Sequence, residues 1–243
     1  MNIKGLCAGV LILLFWQPLF VTAEIADRAA YLSDFAARAA IKWPDNRTMT
    51  IVCHGHSVPA GYFNGNLVKT FDSYPHLAHV ELSRRFSYAV INVIVTAIGG
   101  ENSERGAARF ARDVLALSPD VVTIDYALND RRIGLERAEK AWRSMIEAAL
   151  AANIKVILLT PTGHLKADFN NPNEPLNQHA GQIRKLAGEY GVGLADSWLE
   201  FEKAAKTQGG LTAYMSQTNH PNRKGHELVA AQLVQWFPSI MEK

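Results

Sequence analysis

The chain has 243 residues, of which 48% are hydrophobic and 20% charged. That mix suits one or two globular domains with a full core, and it argues against a disordered chain or a small disulfide scaffold. The formal net charge is +2, from 25 Lys and Arg against 23 Asp and Glu, with no basic tract. A nucleic-acid binder concentrates basic residues on one face, so that class is set aside.

Residues 1–23 read as an address. Lys4 gives a short positive start, Leu6 to Phe20 is mostly apolar, and Val21-Thr22-Ala23 ends in the small-x-small pattern that a signal peptidase reads. The apolar stretch is short for a membrane span and is interrupted by Gln17 and Pro18. A cleaved signal peptide is therefore expected rather than an anchor. A secreted or periplasmic protein would then begin at Glu24, with residues 24–243 as its single domain. Cys7 would leave with the signal, so Cys53 would stand alone and no internal disulfide could form.

After this segment, strand and helix patterns alternate. Residues 24–42 carry Ala, Leu and Phe at helical spacing, and Thr48 to Cys53 is a short β-branched strand. Helix is expected over Pro75 to Phe86, and strand over Ala89 to Ala97, stopped by Gly99-Gly100. A further helix (Ser103 to Leu117), strand (Val121 to Tyr126), helix (Gly134 to Ala152) and strand (Lys155 to Thr160) follow. An Asn- and Pro-rich stretch, Thr162 to Pro175, precedes a helix over Leu176 to Tyr190, a short strand over Gly193 to Ala195 and a closing helix over Lys224 to Phe237. Near-continuous apolar strands suggest a parallel sheet buried on both faces. Alternation with helices gives right-handed crossovers and one α/β domain in three α/β/α layers, built on five parallel strands.

In such a sheet, ligands bind beyond the carboxyl ends of the strands. The residues expected there are His54-Gly55-His56-Ser57, Gly99-Gly100-Glu101-Asn102, Ala127-Leu128-Asn129-Asp130 and Pro161-Thr162-Gly163-His164, with Asn219-His220-Pro221-Asn222 before the last helix. Acyl transfer needs a hydroxyl nucleophile, a base and donors aimed at the developing oxyanion. Ser57, following a glycine at a strand exit, is the candidate nucleophile, and His220 is the candidate base. The Ser57 N–H, the Gly100 N–H and the Asn129 side-chain amide are candidate oxyanion donors.

These residues resemble the SGNH hydrolases of the GDSL esterase and lipase superfamily, which carry Ser, Gly, Asn and His in ordered blocks. The blocks here are Gly55-His56-Ser57, Gly100, Asn129-Asp130 and His220-Pro221-Asn222, and the resemblance runs from about Thr48 to Phe237. It implies a flavodoxin-like sandwich and a serine esterase without cofactor or metal. It also implies a small-molecule or glycan ester as substrate. A small acyl group on a carbohydrate is expected, with lipase, lysophospholipase or thioesterase activity as the alternatives. The family's GDS reads Gly55-His56-Ser57, the third-block glycine is Ala127, and the acid expected three residues before the histidine is Gln217. A triad acid orients the base and stabilises its charged form. Three arrangements stay open. His220 could be held by Gln217 or a backbone carbonyl in a dyad, another acid (Asp196 or Asp130) could reach it, or the site could bind without hydrolysing.

His56 and His164 are expected to line the pocket, Asp130 to cap the segment that follows it, and His226 to be structural. His54 with His56, and His76 with His79, have spacings that a zinc site could use, but no supporting Cys or Glu motif is near. Trp43, Trp142, Trp198 and Trp236 read as packing residues, and Asn46-Arg47-Thr48 matches a glycosylation acceptor.

Overall fold

The computed structural model describes residues 24–239. The expected signal peptide, residues 1–23, lies outside the described residues. In chain order the elements are α1 (Ser33–Ala39), β1 (Thr48–Gly55), α2 (Tyr74–Arg85), β2 (Val90–Val95), α3 (Ser103–Asp113), β3 (Val121–Asp125), α4 (Ala127–Asp130) and α5 (Leu135–Ala151). Then come β4 (Lys155–Leu159), α6 (Pro175–Tyr190), β5 (Gly193–Ala195), α7 (Ser197–Ala205), the pair β6 (Met215–Gln217) and β7 (His220–Pro221), and α8 (Arg223–Val234). No helix among the described residues is long and apolar enough to cross a membrane.

β1 to β5 form one parallel sheet in the order β2-β1-β3-β4-β5. Its β-branched and leucine-rich strands are covered on both faces, and all five residues of β3 are buried. The chain steps outward from β1 to β2 and then returns to place β3 on β1's other side. That reversal puts successive crossover helices on opposite faces and opens a crevice beyond the carboxyl ends of β1 and β3. α2, α7 and α8 pack together on one side, where Phe35 of α1 meets Phe86 and Phe237 edge-on. α3, α5 and α6 pack together on the other. This is the expected three-layer α/β/α sandwich.

Four details differ from the sequence reading. The first helix is shorter than 24–42. Asp27 accepts the Ala29 N–H through its side chain, and the Ala26 N–H donates to Val192 O beside β5, so the backbone before Ser33 is committed elsewhere. Trp43 is 82% exposed, whereas Trp142, Trp198 and Trp236 are buried as expected. The helix from Ser103 ends at Asp113, and Leu115–Leu117 is a separate 3-10 turn. Finally α4, α7 and the β6–β7 hairpin were not anticipated. α7 carries a start signal, since the Asp196 side chain accepts the Leu199 N–H at its N-terminus.

Gly55 ends β1 where the backbone comes closest to β3. A Cβ there would lie 2.6 Å from Asp125 O and 2.8 Å from Pro59 Cγ, so only glycine fits. Gly181, on the exposed side of α6, would meet nothing within 4 Å. Urea unfolding is expected to show Gly55→Ala less stable by about 2 kcal/mol through overpacking. Gly181→Ala is expected to gain about 0.5–1 kcal/mol, because a mid-helix glycine loses the most backbone entropy.

Candidate active site

The turn after β1 carries Ser57 into the crevice. It is closed by hydrogen bonds from the Gly61 N–H to Val58 O (2.9 Å) and from the Tyr62 N–H to Ser57 O (3.0 Å). From the other side, the β6–β7 hairpin presents His220. Its Nε2 lies 2.8 Å from Ser57 Oγ, a hydrogen bond between residues 163 positions apart. The structure thus brings the two principal candidates together.

The oxyanion candidates converge as well. The loop after β2 is tied to β1 by the Ile98 N–H donating to Gly55 O at 3.0 Å. Gly100, two residues on, has φ +79°, and a Cβ on it would meet nothing within 4 Å. It faces open space and needs glycine for its backbone conformation alone. Asn129 lies in α4, just past β3, and its Nδ2 donates to Glu101 O at 2.8 Å. That bond uses one amide hydrogen, fixes the side chain beside the Gly100 loop and leaves the second hydrogen for a ligand. Among the described residues, neither the Ser57 N–H nor the Gly100 N–H donates to a backbone or side-chain acceptor.

Of the three candidate partners of His220, the structure places Gln217 against it. The two face each other across the hairpin, and Nε2 of Gln217 lies against Nδ1 of His220. With the amide turned this way, nitrogen donates to Nδ1, the imidazole proton sits on Nε2, and that tautomer cannot accept the serine proton. Rotating the amide through 180° puts Oε1 in the same place. Nδ1–H then donates to Oε1, and Nε2 is free to act as a base. Burial and the neighbouring His56 lower the pKa of His220 to about 4, so the imidazole is neutral across the ordinary pH range.

Asp196 and Asp130 do not serve His220. Asp196 is held by Arg184 (2.7 and 2.9 Å) and Thr160 Oγ1 (2.9 Å) at the start of α7. Asp130 is fully buried, and its oxygens accept the Ser103 N–H (2.8 Å) and the Trp142 indole N–H (2.7 Å). It secures the start of α3 rather than capping the segment after itself. Burial raises its pKa to about 6.

His56 lies beside Ser57 but is buried at 1% exposure, with Nδ1 3.5 Å from Ser57 Oγ. His164 is half-buried on the loop after β4. The next residue, Leu165, donates its N–H to Thr218 O at 2.8 Å, which ties this loop to the hairpin carrying His220. His54 is occupied, donating through Nε2 to Gly106 O (3.1 Å) and accepting at Nδ1 from Thr96 Oγ1 (2.8 Å). His79 donates to Ile91 O at 2.9 Å. Among the described residues no group of three or more His, Cys, Asp or Glu is placed to hold a metal ion.

Two features were missed from sequence. Tyr62 packs within 6.4 Å of the His220 ring, ring centre to ring centre, and covers Gly99, where a Cβ would lie 3.0 Å from the phenol ring. It walls the site between the nucleophile turn and the second block. Arg109, 8% exposed, ties the loop after β2 in place. It bonds Glu101 Oε2 (2.8 Å), Thr96 O (2.6 Å), Asp113 (2.9 Å) and Tyr126 OH (3.0 Å). The spacing of Arg109 and Asp113 in α3, with Glu101 just before it, was the available signal.

The sequence matches the GDSL-like lipase/acylhydrolase family over residues 53–228. No curated protein matches it at a significant level. Among solved structures, a catalytic mutant of Axe2, an acetylxylan esterase from Geobacillus stearothermophilus, is similar with a TM-score of 0.69 at 20% identity, covering 84% of this chain and 100% of that one. A protein described as a GDSL-like lipase from Parabacteroides merdae has a TM-score of 0.66 at 19% identity, over 78% and 95% of the two chains. A protein described as a lipolytic G-D-S-L family member from Desulfitobacterium hafniense has a TM-score of 0.61 at 22% identity, over 77% and 99%.

Three outcomes follow from this geometry. With the His220 pKa held near 4, kcat/KM is expected to stay flat from about pH 8 to pH 5 and to fall only as the imidazole protonates below that. In Gln217→Asp a carboxylate favours the imidazolium, so the acid limb should move up and kcat should rise about tenfold, the equivalent of about 1.4 kcal/mol. Arg109→Met leaves Glu101 buried without its cation. It is expected to cost about 3–5 kcal/mol in chemical unfolding, with activity lost in step as the Gly100 loop loosens.

Proposed function

Since the chain belongs to the GDSL-like lipase/acylhydrolase family and is a serine ester hydrolase, we propose that Ser57 is its nucleophile, that His220 is its base, and that it removes a small acyl group, acetyl, from a carbohydrate outside the cytoplasm. The observation that carries this reading is the 2.8 Å contact between Ser57 Oγ and His220 Nε2. In the base-competent orientation Gln217 Oε1 accepts from Nδ1–H, and Nε2 takes the proton as Ser57 Oγ bonds to the acyl carbon. The oxyanion is received by the Ser57 N–H, the Gly100 N–H and the free Asn129 amide hydrogen. His220 returns the proton to the departing alcohol oxygen, leaving the acyl group on Ser57. A water then attacks with the same base, and acid and enzyme are released.

Three supports favour a short acyl group on a polar alcohol. Tyr62 narrows the crevice beside Ser57, which is itself only 8% exposed. Asn129, Gln217 and His220 give the site polar walls beside Tyr62. One fold neighbour is an acetylxylan esterase. The apolar run ending at Val21-Thr22-Ala23 supports export.

The test is hydrolysis of p-nitrophenyl esters and of acetylated xylo-oligosaccharides by residues 24–243. Acetyl esters are expected to turn over at least about tenfold faster than octanoyl esters, and Ser57→Ala should reduce kcat by at least about 10³-fold with the fold intact. A preference for long chains would replace the deacetylase reading with a lipase. Full activity in Ser57→Ala would remove the nucleophile assignment.

A further inference from the structure

One buried contact touches the nucleophile and takes no part in the steps above. His56, the residue after β1, and Asp125, the last residue of β3, are each 1% exposed, with His56 Nε2 3.3 Å from Asp125 Oδ1. Neither atom makes a hydrogen bond among the described residues, so the 3.3 Å approach is a charge-distance contact outside hydrogen-bond geometry. On the opposite edge of the ring, Nδ1 accepts the Val58 N–H at 3.1 Å and lies 3.5 Å from Ser57 Oγ. The second Asp125 oxygen accepts the Tyr74 O–H at 3.3 Å.

The bond from the Val58 N–H to the side chain two residues earlier is the closure of an Asx-type turn. A carboxylate aimed at that N–H can accept through either oxygen, since neither carries a proton. An imidazole can close it only with Nδ1 bare, which puts the ring proton on Nε2. A buried N–H left without an acceptor is costly, so that tautomer needs an acceptor opposite Nε2. Asp125 stands there, and the β1–β3 register that pairs Gly55 with Asp125 puts it there. The opposite tautomer would aim an Nδ1–H at the Val58 N–H and open the turn on which Ser57 sits.

We propose that His56 and Asp125 are the positioning pair of the nucleophile: Asp125 holds the proton on His56 Nε2, His56 Nδ1 holds the Val58 N–H, and the closed turn keeps Ser57 Oγ in reach of His220. This rests on the assignment of Ser57 as nucleophile. It divides the work of the site. The carboxylate missing beside His220 has a counterpart on the far side of the serine, where it orients the turn instead of the base.

The pair makes a demand that can be exchanged. Asp125→Leu removes the acceptor, while His56→Asp closes the turn without any tautomer to control. Asp125→Leu is expected to lower kcat on p-nitrophenyl acetate at least tenfold with KM within about twofold. His56→Asp combined with Asp125→Leu should return kcat to within about threefold of the wild type. Tyr74 O–H loses the same acceptor in both variants, so its loss cancels in the comparison. Independently of any variant's folding, ¹⁵N NMR of the histidines in the wild-type protein should show His56 protonated on Nε2 and bare at Nδ1, the signal being assigned by its absence in His56→Asp. A proton on Nδ1, an Asp125→Leu enzyme within twofold of wild type, or a double variant no better than Asp125→Leu would each overturn the proposal. Activity surviving in Ser57→Ala would instead sink the nucleophile assignment on which it rests.

Discussion

At their carboxyl ends β1 and β3 lie so close that a methyl group on Gly55 would strike the Asp125 carbonyl. This approach sets the geometry of everything beyond the sheet. It fixes where the Ser57 turn begins, where Asp125 ends its strand, and how far Asn129, one short helical turn later, stands from the serine. The strand order supplies the other half of the constraint. Because β2 and β3 flank β1, the loops after all three strands meet at one crevice. The β6–β7 hairpin then needs only to reach across with His220.

The rim loops are held by buried polar clamps rather than by regular structure. Asp130 secures the start of α3 through the Ser103 N–H, and Arg109 secures the loop after β2 through Glu101 and the Thr96 carbonyl. Such groups cost free energy to bury and repay it only when every donor and acceptor is met. Their effect here is positional. In the proposed reaction they keep the Gly100 N–H and the Asn129 amide ready for the oxyanion, so that little reorganisation is needed. The base is less strongly provided for. Gln217 contacts His220 without charge, and burial disfavours its imidazolium, so in the proposed mechanism the base is neutral at ordinary pH but weakly supported.

The sheet was legible because its strands are rich in Val, Ile and Leu, and the four-block pattern placed Ser57, Gly100 and Asn129 after strands and His220 before the last helix. What was not legible depended on competition or on distance. Residues 24–32 have helical spacing, but the Asp27 side chain and the Ala26 link to Val192 take the backbone first. Trp43 has the composition of a core residue and sits on the surface, in a segment that the structure ties to Tyr88 through Lys42 and Asn46 while leaving Trp43 outside. Gln217 as the partner of His220 could be read as one option from its spacing, whereas excluding Asp196 and Asp130 required seeing their own partners. The contact between His56 and Asp125 joins positions 69 apart through strand register, which no local pattern encodes.

The central claim is that Ser57, activated by His220, carries the acyl group. The most direct measurement is reaction with an aryl organophosphate, which phosphorylates the nucleophile of serine hydrolases with loss of the aryl alcohol, followed by peptide mass spectrometry. The account predicts a single adduct on the peptide containing Ser57, formed in step with loss of esterase activity and much more slowly in His220→Ala. An adduct on a different residue, or full esterase activity after Ser57 has been modified to completion, would contradict it.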